Sequence, residues 1–152
     1  MNEPDAVMSE IGRATELGQR GERQSARQLF TELEQQIGPG GDALHRVALA
    51  HAMADVQDDP HDELAWDLRA LQAADAVTDQ RAALAGVAGP VAGFYPSLHL
   101  NLGEDYRKLG DLPAARRHLE LGQESAAALG DDGYSRMIRG GLERLAARLK
   151  DT

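Results

Sequence analysis

Residues 97–129, SLHLNLGEDYRKLGDLPAARRHLELGQESAAAL, decide the fold. Leu98, Leu102, Tyr106 and Leu109 recur at steps of three and four, the spacing that gathers apolar side chains on one face of a helix. Gly110 stops that helix, and Asp111 stands where it can cap the next by accepting from the free amides of the first turn. Pro113 near the new start forfeits no intrahelical hydrogen bond. Ala115, Leu119 and Leu129 continue along the second helix, which ends before Gly130. The stretch is an antiparallel helical hairpin. A single hairpin cannot bury both of its apolar faces, so it demands neighbours.

Leu102, Gly103, Tyr106, Gly110, Ala115 and Leu119 resemble the tetratricopeptide repeat, in which small residues let two helices approach and large ones fill the holes between them. Aligned on the turn glycine, Ala14, Leu17, Gly21, Ala26 and Phe30 follow the same pattern. Between them a looser copy keeps Ala52, Leu68 and Leu71 but puts His51 and Asp55 in slots that normally take apolar residues. The resemblance implies an all-α fold in one domain over residues 1–152. Antiparallel hairpins over about 4–37, 43–77 and 96–129 would stack as a short right-handed array. Segment 78–95 is inserted before the third hairpin, and a helix over about 132–150 caps the end. Thr78 can cap a short helix within the insertion, and residues 88–96 read as a loop carrying Phe94 and Tyr95. Gly140-Gly141 weakens the final helix unless another helix packs closely there.

Composition narrows the function. The chain has 152 residues, a net charge of -9 and no cysteine, which excludes disulfides and thiolate chemistry and suits a reducing cytoplasm. Phosphate neutralisation needs clustered Lys and Arg, so nucleic acid is not expected as the partner. No run of about 18 apolar residues and no basic, apolar leader is present, so neither a membrane span nor a signal peptide is expected. The acidity is concentrated: residues 55–80 hold eight acids against Arg69 alone. Several of them, such as Asp59 before Pro60 and Asp62 and Glu63 after it, are placed to start a helix. Glycine-rich phosphate loops, dinucleotide fingerprints, HExxH and nucleophile elbows are absent, so the chain is not expected to be an enzyme and no cofactor or metal is expected.

In tetratricopeptide repeats the first helix of each pair lines a concave groove. The positions that match here include Arg46, Leu49 and Met53 from the second hairpin and Leu100, Glu104, Arg107 and Lys108 from the third. The resemblance therefore implies a scaffold that holds a protein or peptide along this surface. A second copy of the chain is another occupant the reading admits. The alternative is a small-ligand or metal pocket, open to catalysis. His51 and Asp55 stand four apart on one helical face, and the repeat alignment puts Tyr106 level with Asp55 and His99 one turn from the position equivalent to His51. Glu63 and Trp66 would approach from the pairing helix, and Phe94 and Tyr95 would cover the group. The plainer account of His51 is a buried histidine satisfied by Asp55. His45, His61 and His118 read as surface residues, and Leu64, Leu68 and Leu71 as the core stripe of their helix, with Trp66 turned away from Leu64.

Overall fold

The computed structural model describes residues 5–87 and 89–150, which form eight α-helices and no strand. They are α1 (Ala6–Gln19), α2 (Arg23–Ile37), α3 (Ala43–Ala54), α4 (Pro60–Ala74), α5 (Asp79–Leu84), α6 (Tyr95–Lys108), α7 (Leu112–Ser125) and α8 (Gly133–Lys150). Short 3₁₀ turns at Val91–Phe94 and Ala126–Ala128 precede α6 and follow α7. Packing groups the chain into two compact units, Met1–Ala88 and Gly89–Thr152.

Side-chain caps start most of these helices. Asp5, Asp42, Asp59, Thr78 and Asp111 accept from the amides of Met8, Leu44, His61, Arg81 and Ala114, respectively. Four of the 25 acids of the chain therefore cap these helices directly. Gly21 and Gly110, both at positive φ, end α1 and α6 in the same way. The Glu22 amide reaches back to the Leu17 carbonyl, and the Asp111 amide to the Tyr106 carbonyl. This six-to-one bond needs a left-handed residue at the turn, which glycine supplies without strain. The α3–α4 link has no such glycine. There Arg23 donates to the Asp55 and Gln57 carbonyls and Arg27 to the Val56 carbonyl, and both pair with Asp58. Two arginines of α2 thus hold the exposed carbonyl end of α3.

The core of the first unit joins Ile11 and Ala14 of α1, Ala26, Phe30 and Leu33 of α2, Leu49 and Met53 of α3, and Val56. Phe30 is fully buried, which contributes on the order of 1.5–3 kcal/mol by transfer alone. In α4 the expected Leu64, Leu68 and Leu71 stripe is corrected. Asp67, Ala70, Ala73 and Ala74 are the buried residues, and Leu68 is 40% exposed. Alanines let α4 approach α3 more closely than leucines would, so the helix is turned to put them inside.

In the second unit α8 packs on both α6 and α7, closing a core of Ala115, Leu119, Ile138, Leu142, Leu145 and Leu149. Glycines receive the leucines. A Cβ placed on Gly103 would lie 2.6 Å from Leu145, one on Gly122 2.8 Å from Leu142, and one on Gly141 2.6 Å from Leu100. The glycine in the middle of α8 is thus explained by a close neighbour on α6.

Candidate functional site: a cleft between α2 and α4

The first unit holds a cavity of about 780 Å³ whose walls come from α2 and α4 and whose floor comes from α3. Leu49 and Ala50, both almost fully buried, lie at the floor, and the half-buried Trp66 and Ile37 supply the accessible apolar surface. Trp66, the one tryptophan of the chain, is half-buried: one part of it meets the core while the rest faces the cleft. The Arg69 guanidinium sits 4.0 Å above its ring centroid, a cation–π contact that fixes both side chains. Arg69 also reaches Glu34 of α2 at 2.9 Å, so one ion pair ties the two walls. Arg46 donates through Nε to the Gly41 carbonyl at 3.1 Å and lines the floor side.

Two further polar groups lie outside this cleft. In the first unit Arg81 of α5 donates to Asp42 at 2.6 Å and to Asp5 at 3.0 Å, and His45 Nε2 lies 2.8 Å from the same Asp5 oxygen. One arginine thereby joins the caps of α1 and α3. Burial raises the Asp5 carboxyl, but His45, the Met8 amide and Arg81 together outweigh it and hold it far below the usual carboxylate range. Asp42 is likewise held low, its burial offset by Arg81 and the Leu44 amide. In the second unit His99 of α6 and His118 of α7 bring their Nδ1 atoms to 3.1 Å. The ring centroids are 5.3 Å apart, so the two rings meet edge to edge. Tyr106 lies nearly parallel to His118, at 5.4 Å and 9°, and Tyr95 is 6.2 Å from His99. Burial, then His99 and Arg117, push the His118 ring below its ordinary pKa.

Of the expected partner groove, Arg46 and Leu49 line the cleft. Met53 is 3% exposed and belongs to the core. Leu100 packs into the core of the second unit beside Gly141, and Glu104 pairs with Arg107 at 3.0 Å and with Arg148 of α8 at 2.8 Å. That face of α6 is covered by the last helix because its leucine needs burial. Lys108 is exposed near the end of α6.

Of the alternative pocket, His51, Asp55, Glu63 and Trp66 fall in the first unit, and Phe94, Tyr95, His99 and Tyr106 in the second. His51 and Glu63 are half-buried, and Asp55 is exposed at the end of α3. Tyr95, His99 and Tyr106 do come together, around His118. Phe94 and Tyr95 are half-buried where the 3₁₀ turn meets α6. Among the described residues no three of His, Cys, Asp and Glu are grouped so as to hold a metal ion.

Sequence reasoning missed Arg69 and Glu34 in the cleft, and it put His45 and His118 on the surface, whereas both are engaged. Arg69 had a legible signal, since it stands one helical turn after Trp66. Glu34, 35 positions from its partner, had none.

Compared with protein-family models, curated proteins and solved structures, the chain has no match. Among the described residues no helix is long and apolar enough to cross a membrane.

Proposed function

We propose that this chain is a non-catalytic interaction module of tetratricopeptide-like hairpins that holds a short segment of a protein partner in the cleft between α2 and α4. The cleft itself carries the reading: about 780 Å³, floored by Leu49, with Trp66 on its wall. From Trp66 to Ala73 its α4 side runs about two helical turns, ~10 Å, the length of about three extended residues. An aromatic anchor held by a cation beside an apolar floor is the composition that dominates binding energy at protein interfaces. The hairpin family is supported by the matching turns at Gly21 and Gly110. At the same offset, Ala14 and Gly103, Ala26 and Ala115, and Phe30 and Leu119 are all buried. A cysteine-free module of this kind suits the cytoplasm.

Trp66 is its own reporter. The immobilised chain panned against a displayed random peptide library should yield binders that change the tryptophan emission. Trp66→Ala should weaken them about thirtyfold, the effect of losing an anchor worth ~2 kcal/mol, with Trp66→Phe in between. Peptides that bind Trp66→Ala as tightly as the parent would rule the cleft out. The cavity volume also lies within the roughly 300–1,000 Å³ of small-molecule sites, so a metabolite is the competing occupant. Thermal unfolding in a metabolite library separates the two: a compound whose stabilisation disappears in Trp66→Ala, with no peptide selected, would favour it.

A further inference from the structure

We infer that the segment held in this cleft is acidic as well as apolar, with a carboxylate seated on Arg46 and a large apolar side chain against Trp66 and Leu49. The inference rests on reading the cleft as a peptide site and names the chemistry of its occupant.

Three charged side chains line the cavity: Glu34, Arg46 and Arg69. Glu34 and Arg69 neutralise each other at 2.9 Å, and the Arg69 face is further occupied by Trp66. Arg46 differs. Its side chain donates through Nε to the Gly41 carbonyl, and among the described residues it has no ion-pair partner. A bond through Nε fixes the plane of the guanidinium and leaves its terminal N–H groups as donors, the fork that grips a carboxylate. The cleft is thus locally cationic inside a unit whose acids outnumber its bases by nine. That wider field decays over about 8 Å at physiological salt, so contact chemistry in the cleft is set by Arg46. The net negative unit opposes the approach of an acidic segment, less so as salt rises, so the affinity rests on the Arg46 contact.

Leu49 follows Arg46 by three residues along α3, just under one turn, so cation and apolar floor lie on the same helical face. A carboxylate on Arg46 therefore requires the apolar residue of the occupant close by in its own chain, within one or two positions. Gln35 and Gln72 on the two walls can exchange hydrogen bonds with its backbone.

The test pans a displayed random hexapeptide library against the 152-residue chain and, in parallel, against Arg46→Glu and Arg46→Gln. The expected result is enrichment of Asp or Glu next to Leu, Ile, Phe or Trp. Those peptides should lose about tenfold or more in affinity against Arg46→Gln, as expected for a lost charge-assisted bond. Arg46→Glu should select Lys or Arg in place of the acid, a gain that a damaged fold could not produce. Peptides that lack any acid preference yet weaken on Trp66→Ala would overturn the acidic assignment and leave the cleft as a peptide site. Failure to select any peptide sensitive to Trp66→Ala would remove the cleft reading itself. A dimer of the unliganded protein that Arg46→Glu dissociates would put a second copy in the cleft and equally overturn the assignment.

Discussion

In the first unit, charge ties helix ends together: Arg81 joins the caps of α1 and α3, and Arg23 and Arg27 hold the carbonyl end of α3. In the second, α8 lays Leu145 and Leu142 onto glycines of α6 and α7. The sequence charge follows the same division, with nine excess acids in the first span and equal acids and bases in the second. The first unit also has a hydrophobic core, shared by α1, α2 and α3, and an apolar side chain seated on a glycine, Val56 on Gly18, yet it keeps an open cleft between α2 and α4. In the second unit α8 covers the face of α6 that carries Leu100 and Glu104.

Arg81→Ala should break this contrast most. It leaves the Asp5 and Asp42 carboxylates, both partly buried, without their arginine, a loss of about 1–3 kcal/mol, read by chemical denaturation. The folded Asp5 and Asp42 carboxyls titrate below their unfolded value of 3.8. At acid pH the unfolded chain therefore binds protons first, and the stability they contribute is present above about pH 4 and lost as pH falls towards the folded values. The variant should show a flatter acid limb. An unchanged limb would mean that Arg81 does not set those carboxyls.

Glycine substitutions sharpen the other half. Gly103→Ala gains ~1 kcal/mol of helix propensity but forces a methyl to within 2.6 Å of the fully buried Leu145, at a cost of about 1–3 kcal/mol. The net is a loss of about 1 kcal/mol. Gly12→Ala, where nothing lies within 4 Å of the added Cβ, should raise stability by up to about 1 kcal/mol. Opposite signs from the same chemical change, read from melting midpoints, would support close seating in the second unit. A stabilising Gly103→Ala would refute it.

The smallest effect expected is a difference in pH response. His118 titrates below its ordinary 6.5 because burial, His99 and Arg117 all oppose its charge. The unfolded chain takes that proton first, so this contribution is complete above about pH 6.5 and lost as pH falls through the folded value. Amide-exchange protection across α6–α8, corrected for the intrinsic exchange rate, should then weaken from about pH 6.5 downward, before the carboxylates of the first unit respond. His118→Phe, which keeps a ring against Tyr106, should abolish that early phase.

Several features were legible along the chain because their causes are local. Aspartates before helices, glycines at positive φ after them, and small residues at helix crossings each act within a few positions of their own place. The sequence therefore determined the helices, the matched turns at Gly21 and Gly110, and the burial of Ala14, Ala26, Ala115 and Phe30. It also put Arg46, Leu49 and Trp66 forward without joining them. Only the tertiary structure decided how each helix is turned about its own axis, since that depends on what packs against it. The alanines of α4 went inward and Leu68 outward, Met53 sank into the core, and His118 met His99. Glu34 with Arg69 and Asp5 with Arg81 are pairs separated by 35 and 76 positions. No residue near any of them in the chain announces the partner, because the pairing is created by the fold that brings them together.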